Sequence, residues 1–257
     1  MKNSEKIKSF KGRSSNFLII NKQLIEKVYI IDEIFQEDKV LSIFKMITSC
    51  KNMEEFSITY TKQSNNKEYE YIQKNEKVKK IDLKLYSDYD CMFYDFQNKF
   101  PNLSDISISI KFYNPNSPSH LKINENPYSK VNKIQLHIYN NNNVEINCQS
   151  YKTLESFKLL VNNKSNIKES IPIFNDKCDY IFESLKILEI SFTNKKKNDK
   201  DELNNLYDNI DKNKIPNLRE LNILSCFTQG IMFYKKFIGK MLSLKSIRKI
   251  CIQRVLF

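Results

Sequence analysis

Two histidines and six cysteines are the residues in this chain whose types best suit acid–base catalysis, nucleophilic attack or metal binding. The histidines are His120 and His137, and neither has a partner at the spacing of a catalytic or metal-binding motif. The cysteines are Cys50, Cys91, Cys148, Cys178, Cys226 and Cys251. They are widely scattered and form no CxxC pair, so we expect buried free thiols, no metal site and no disulfide framework.

Longer catalytic motifs are also missing from the sequence. Residues 239–241, Gly-Lys-Met, match a phosphate-binding loop only loosely, because GxxxxGK[ST] requires four intervening residues and a hydroxyl group. Neither HExxH nor GxSxG occurs. We therefore expect a non-catalytic protein without a cofactor.

The predicted secondary-structure elements repeat along the chain. A triplet of apolar residues at offsets of zero, three and five recurs at intervals of 23 to 33 residues. The copies are Met53, Phe56, Ile58; Val78, Ile81, Leu83; Leu103, Ile106, Ile108; Val131, Ile134, Leu136; Leu154, Phe157, Leu159; Leu185, Leu188, Ile190; Leu218, Leu221, Ile223; and Ile247, Ile250, Ile252. Ile25, Val28 and Ile30 form a possible ninth copy. This alternation predicts one strand with one buried face in each unit.

Positions that did not define the triplet support the repeat. The residue three places before each triplet is apolar in seven of the eight main copies, and the exception is Asn75. A 40% apolar composition would place apolar residues at about three of those eight positions. A unit of 25 to 33 residues cannot bury its apolar face alone, so we expect neighbouring units to stack.

Segments between the strands show apolar spacing typical of helices. Val40, Ile43, Phe44 and Ile47 would share one helical stripe, and residues 91–100 offer a similar pattern. Two polar insertions lengthen the period. Residues 113–129 hold three prolines and indicate a loop, while residues 194–214 indicate a solvated loop or a short amphipathic helix.

The repeat resembles the leucine-rich repeat family, whose unit is LxxLxLxx(N/C)xL. Leu218, Leu221, Ile223 and Cys226 match its first four marks, as do Leu154, Phe157, Leu159 and Asn162. The resemblance covers about residues 50–257 and is closer to the longer, helix-containing branch of the family. It implies an α/β solenoid with a curved parallel sheet on the concave face and helices and loops on the convex face. We expect a basic segment at residues 1–24 and eight or nine solenoid units at residues 25–257.

The outward positions of the strands, at offsets of two, four and six, would line the concave face. They carry five lysines and five acids, a mixed surface that favours protein recognition over binding to a phosphate backbone. The candidate binding residues are Lys80, Asp82, Lys84, Asp105, Lys133, Gln135, His137, Lys158, Glu189, Glu220 and Asn222. We expect a protein-interaction scaffold with a protein partner.

The net charge of +12 supports an alternative function. Residues 1–30 carry +5 and residues 235–257 carry +7, which leaves the middle of the chain neutral. The alternative is a binder of nucleic acid or an anionic membrane surface that acts through these two basic ends. The absence of alanine and the abundance of lysine and asparagine are also what an A/T-rich genome would produce.

The ends of the chain lead to two further expectations. No apolar run is long enough for a signal peptide or a membrane span, so we expect a cytoplasmic or nuclear location. The last predicted strand lies next to Phe257 with no polar capping segment. We expect that a partner or another chain covers this carboxy-terminal edge, or that the sequence is a truncated product of a repeat family.

Overall fold

The computed structural model describes twelve ranges of the chain. They are residues 8–17, 24–62, 72–87, 91–92, 99–112, 120–123, 130–139, 143–146, 153–162, 181–192, 212–225 and 238–254. The strands are β1 Ser9–Gly12, β2 Lys27–Ile34, β3 Glu55–Lys62, β4 Lys80–Ser87, β5 Cys91–Met92, β6 Asp105–Phe112, β7 His120–Ile123, β8 Lys133–Tyr139, β9 Asn143–Ile146, β10 Ser156–Asn162, β11 Ile187–Phe192, β12 Glu220–Ser225 and β13 Lys249–Arg254. The helices are α1 Ser14–Phe17 and α2 Glu37–Ser49, with a 3₁₀ turn at Lys212–Lys214 and a short helix at 238–242.

Ten of these strands form one parallel sheet in the order β1-β2-β3-β4-β6-β8-β10-β11-β12-β13. Nine of them carry the second and third residues of the nine apolar triplets, in chain order, and the first residue of each triplet lies two positions before its strand. From β3 to β13 these strand residues are direct register partners. The predicted α/β solenoid is therefore confirmed. Strand β1 adds a tenth strand before residue 25, so the sheet begins inside the basic amino-terminal segment 1–24.

The triplets form one continuous hydrophobic core. With the amino-terminal copy Ile25, Val28 and Ile30 counted as the first, the sheet has nine units. Every triplet residue of the first eight is buried. The triplet of the last unit, Ile247, Ile250 and Ile252, is only partly buried, since it belongs to the edge strand of the described sheet. Burial of one strand face across neighbouring units is what makes these short units stable together.

A backbone turn precedes most strands and explains the apolar position before each triplet. Met53 N donates to Cys50 O at 3.0 Å, and Leu103 N donates to Phe100 O at the same distance. Cys50 and Phe100 are buried beneath these turns. Asn75 occupies the same position and is also buried, because its Nδ2 donates to the carbonyl oxygens of Cys50 and Thr48 at 2.9 and 3.3 Å.

The predicted helix after Gln36 is confirmed as α2. Val40, Ile43, Phe44 and Ile47 are all buried, and the Phe44 ring makes an edge contact with Phe56 at 6.2 Å. Because Phe56 points to the buried side of β3, α2 packs on the core side of the sheet. The opposite side carries the alternate side chains of the strands, which are partly buried or exposed at every described position except the buried Thr61 and Ser191. No helix in the described ranges has the length and apolar content that crossing a membrane would take.

Two predictions between strands were wrong where the structure describes the chain. Cys91 and Met92 form β5 instead of starting a helix, although Lys99 at the other end of the predicted segment is helical. Residues 120–123 of the predicted loop form β7. With β9 they make a second parallel sheet in the order β5-β7-β9. The chain thus alternates between two sheets in this region. The predicted helical segment at 203–210 lies outside the described residues.

Candidate binding surface

The side of the ten-stranded sheet that faces away from α2 is here called the open face. Its side chains form three rows that run across the strands, because parallel strands in register place equivalent positions side by side. Row one contains Lys27, Glu55, Lys80, Asp105, Lys133, Ser156, Ile187, Glu220 and Lys249. Row two contains Tyr29, Ser57, Asp82, Ser107, Gln135, Lys158, Glu189, Asn222 and Cys251. Row three contains Thr59, Lys84, Ser109, His137, Leu160, Ser191, Leu224 and Gln253.

All eleven candidate residues lie in these rows. Lys84 and Lys133 are exposed, and the other nine are partly buried. The structure therefore brings the predicted set together on one face, although it spreads the set over six strands. The sequence pattern sufficed for this placement, since a period-two strand sends alternate side chains to the same side.

Row one alternates in charge along its first five strands. Glu55 accepts from Lys80 at 2.9 Å and from Lys27 at 3.3 Å, and its side chain is only 14% exposed. Burial alone would raise the pKa of Glu55, but hydrogen bonds from Lys80, Tyr29 and Lys27 outweigh burial and lower it. The carboxylate thus stays charged and ties three strands together.

Asp105 continues this row with an incomplete set of partners. Its Oδ1 atom is buried and has no hydrogen-bond partner among the described residues. Burial raises the pKa of Asp105, and the attraction of the neighbouring Lys80 and Lys133 only partly offsets that effect. A carboxylate oxygen in this state is an acceptor that a bound donor could satisfy.

A cavity of about 540 Å³ lies in rows two and three. Its lining includes Asp82 and Lys84 from β4, Ser107 and Ser109 from β6, and His137 from β8. Asp82 Oδ2 accepts a hydrogen bond from Ser57 Oγ at 2.9 Å, which fixes one wall of the cavity.

His137 forms the other wall and is the second incompletely bonded group. Its Nε2 is buried without a hydrogen-bond partner among the described residues. Burial lowers the pKa of His137, and the nearby charge of Lys158 lowers it further. A neutral imidazole is therefore favoured at neutral pH, and it can donate or accept one hydrogen bond at this atom.

The carboxy-terminal half of the open face is held by two ion pairs. Lys158 Nζ lies 2.6 Å from Glu189 Oε1, and Lys249 Nζ lies 3.5 Å from Glu220 Oε2. Leu160 and Leu224 add apolar surface to row three and are partly buried. Paired charges beside apolar side chains are typical of the rim and core of protein interfaces.

The arrangement of Ser109, His137 and Asp82 does not assemble a catalytic triad. Ser109 and His137 are register partners on β6 and β8, but His137 Nε2 makes no hydrogen bond to a described residue. The hydroxyl donor to Asp82 is Ser57. In the described part of the chain there is also no group of three or more potential metal ligands.

Sequence reasoning missed two kinds of site residue. Ser107 and Ser109 line the cavity, but neither residue type suggests binding without the burial around it. Glu55 joins three strands through its ion pairs with Lys27 and Lys80. The only sign of this network in the sequence is that the charge alternates at one offset of the repeat. His120, which the sequence placed in a loop, lies instead in β7 of the second sheet.

The carboxy-terminal strand is an edge strand, as expected. β13 ends the strand order of the described sheet, and Ile250 and Ile252 are partly buried against the core. That a partner covers this edge stays a prediction. A scan against protein-family models and a search of curated proteins found no match to this chain. The resemblance to leucine-rich repeats therefore stays a prediction as well.

Proposed function

We propose that this chain is a non-catalytic scaffold that binds a protein partner through the open face. The observation that carries the proposal is that two buried polar atoms, Asp105 Oδ1 and His137 Nε2, have no hydrogen-bond partner in the described part of the chain and lie on the same face as a cavity of about 540 Å³. Each such atom costs roughly 1–3 kcal/mol in the free protein. Because both atoms are shielded from solvent, a partner recovers this free energy when its binding turns the two side chains toward the hydrogen bonds it supplies.

The charge of the open face supports a protein partner over a phosphate backbone. Its three rows mix lysines and acids, and several of these are already paired, as in the Lys158–Glu189 contact of 2.6 Å. A phosphate backbone selects a continuous basic stripe instead. Mixed, partly satisfied polar groups give specificity for a partner with a complementary pattern.

The dimensions of the open face also suit protein recognition. Nine neighbouring strands at about 4.8 Å span roughly 40 Å, and three alternate positions cover about 15 Å along each strand. That area approaches the roughly 800 Å² that one partner contributes to a standard protein interface. Extended sheets of stacked repeats commonly serve this purpose.

Affinity capture with a variant that fills the cavity tests the proposal. Ser109→Arg places a long side chain in the cavity and removes no core contact, because Ser109 lies on the open face. We expect it to reduce recovery of the partner by about tenfold or more, as steric exclusion at an interface centre does. Quantitative mass spectrometry after nuclease treatment measures the recovery.

Ser15→Arg is the matched control. It makes the same substitution at an exposed position of α1, away from the open face. We expect this variant to capture the same proteins as the unmodified chain. Equal recovery with Ser109→Arg, or loss of all captured proteins on nuclease treatment, would contradict the proposal.

A further inference from the structure

A second cavity, of about 520 Å³, lies at the amino-terminal edge of the last strands and is here called the carboxy-terminal groove. Its charged lining consists of Lys186, Arg219, Lys245, Arg248, Glu155 and Glu183. Among the described residues that line it, four cations and two carboxylates leave a net charge of +2. The groove belongs to the turns that precede the strands, so it is separate from the cavity of the open face.

The residue just before each strand explains why this groove is basic. These positions form a row across the sheet, because each backbone N–H donates to the equivalent carbonyl of the preceding unit, as Arg248 N does to Arg219 O at 2.8 Å. The row consists of Lys8, Glu26, Glu54, Lys79, Ser104, Asn132, Glu155, Lys186, Arg219 and Arg248.

Most charges in this row are neutralised by a neighbour. Lys8 pairs with Glu26 at 3.0 Å. Lys79 pairs with Glu54 at 3.2 Å, and Lys186 pairs with Glu155 at 2.7 Å. Six of the eight charged residues in the row thus have an oppositely charged partner on an adjacent unit, a pairing that stabilises a sheet, although Glu26 and Glu54 also lie side by side.

Arg219 and Arg248 are the two charged residues of the row without such a pair among the described residues. These two arginines occupy adjacent units, where like charges about 4.8 Å apart at the backbone destabilise the sheet. Both side chains are exposed, and neither has an ion-pair partner among the described residues. Lys245, also exposed, adds a third cation to the same groove. An anion between these residues would remove the repulsion.

The groove also provides polar groups that hold its walls in place. Asn217 Nδ2 donates to Glu183 O at 2.8 Å, and Ser246 Oγ donates to Pro216 O at 2.7 Å. These bonds fix the two turns that carry the arginines. The described side chains that line the groove include no aromatic ring. Single-stranded nucleic acid is usually held by aromatic stacking, so a compact anion fits these walls better.

We propose that the carboxy-terminal groove binds a compact oligophosphate, with Arg219 and Arg248 holding adjacent phosphate groups and Lys245 adding a third positive charge. The planar guanidinium group offers paired N–H donors that match phosphate oxygens. Arg219 and Arg248, which directly precede neighbouring strands, bring two such groups to the lining of one groove. The volume of about 520 Å³ accommodates a small phosphorylated molecule. This site goes beyond the proposed binding of a protein by the open face.

Titration of the full chain with inorganic tripolyphosphate tests this site. We expect saturable binding to one site by calorimetry, and Arg219→Gln or Arg248→Gln should each weaken it about tenfold or more. Arg219→Lys should fall between Arg219→Gln and the unmodified chain, because it keeps the charge but loses the fork. Arg13→Gln is the matched control, since Arg13 is exposed and precedes α1, far from the groove in strand order.

Thermal unfolding gives a second measurement that does not depend on the calorimetric signal. Tripolyphosphate should raise the Tm of the unmodified chain and of Arg13→Gln but not that of Arg219→Gln, because only binding to the folded state stabilises it. Without ligand, Arg219→Gln should be at least as stable as the unmodified chain, since it removes a like-charge contact.

Three outcomes would overturn the site. The first is that the unmodified chain shows no saturable binding of tripolyphosphate. The second is that Arg13→Gln weakens binding as much as Arg219→Gln, which would indicate attraction to net charge alone. The third is that a single-stranded oligonucleotide of equal charge binds more tightly than tripolyphosphate, which would assign the groove to nucleic acid.

Discussion

The partly buried carboxylate of Asp105 destabilises the free protein and offers a hydrogen-bond acceptor to a partner. Its carboxylate is partly buried between Lys80 and Lys133, yet Oδ1 has no donor among the described residues. Because burial dominates and raises the pKa, the charged form is less favourable in the folded state than in the unfolded chain. The folded state therefore loses stability as the pH rises through the raised pKa.

Asp105→Asn is expected to stabilise the free protein at neutral pH by up to about 1 kcal/mol, because it removes the charge but keeps the shape. The difference should vanish as the pH falls below about 3.8, where the carboxyl is protonated in both states. Urea unfolding at both pH values measures it. A variant less stable than the unmodified chain at neutral pH would mean that attraction to Lys80 and Lys133 outweighs burial.

Strands β2, β3 and β4 are joined on the open face by one carboxylate. Glu55 of β3 contacts Lys27 of β2 and Lys80 of β4, and the three positions are direct register partners. Its hydrogen bonds keep the pKa below the ordinary value despite burial. The resulting stability is present above about pH 4.5 and is lost as the pH falls through the lowered pKa.

Glu55→Gln is expected to cost about 1–2 kcal/mol at neutral pH, the scale for hydrogen bonds to a mostly buried charge. The cost should shrink in acid, where the native carboxylate is protonated. Chemical unfolding at several pH values measures both effects.

Glu76→Gln is the matched control for this substitution. Glu76 pairs with Lys74 at 2.9 Å, but both side chains are more than half exposed, so we expect no measurable change in stability. Equal losses from Glu55→Gln and Glu76→Gln would show that the row-one network adds nothing beyond an exposed pair.

The described part of the molecule is held together by contacts between successive units. Each triplet packs against the triplets before and after it, as Leu159 does between its register partners Leu136 and Ile190. In such an array, stability is approximately a sum of unit and neighbour-interface terms. A substitution that destabilises one unit should therefore destabilise the adjacent units more than distant ones.

Leu159→Ala is expected to cost about 2–5 kcal/mol, because the side chain is fully buried. Hydrogen exchange should show the largest loss of protection in β8, β10 and β11, with a smaller loss in β3. Leu160→Ala is the control, since the adjacent leucine is only partly buried on the open face and should cost less than about 1 kcal/mol. Equal loss of protection in β3 and β10 would indicate a single cooperative unit.

Local pattern was sufficient for the repeating part of this fold. The triplets, the strand in each unit and helix α2 all follow from apolar spacing, because strand and helix geometry impose periods of 2 and 3.6 residues. The same periodicity assigned Lys80, Asp82 and the other candidate residues to one face. Because the strands are in register, residues assigned to the same face of different strands lie side by side.

Other features depended on contacts between residues that are distant in sequence. Strands β5, β7 and β9 are two to four residues long, too short to show periodicity, and each is specified by pairing with its neighbours. Tyr29 and Glu33 of β2 pair with Ser57 and Thr59 of β3, so three residues of β2 lie opposite the single residue Ile58 of β3. Asp32 in this irregularity accepts from Ser14 N and Oγ at 2.6 and 2.7 Å, a contact that no local pattern indicates.

The condition of the binding groups was likewise decided by folding. Sequence spacing places Asp105 and His137 on the open face, but their unpartnered atoms result from how neighbouring strands bury them. Arg219 and Arg248 each follow their own turn, 29 residues apart, and become adjacent only when the units stack. Amino-acid spacing specifies direction within one unit, whereas burial, charge pairing and cavities arise between units, through atoms that approach only in the assembled sheet.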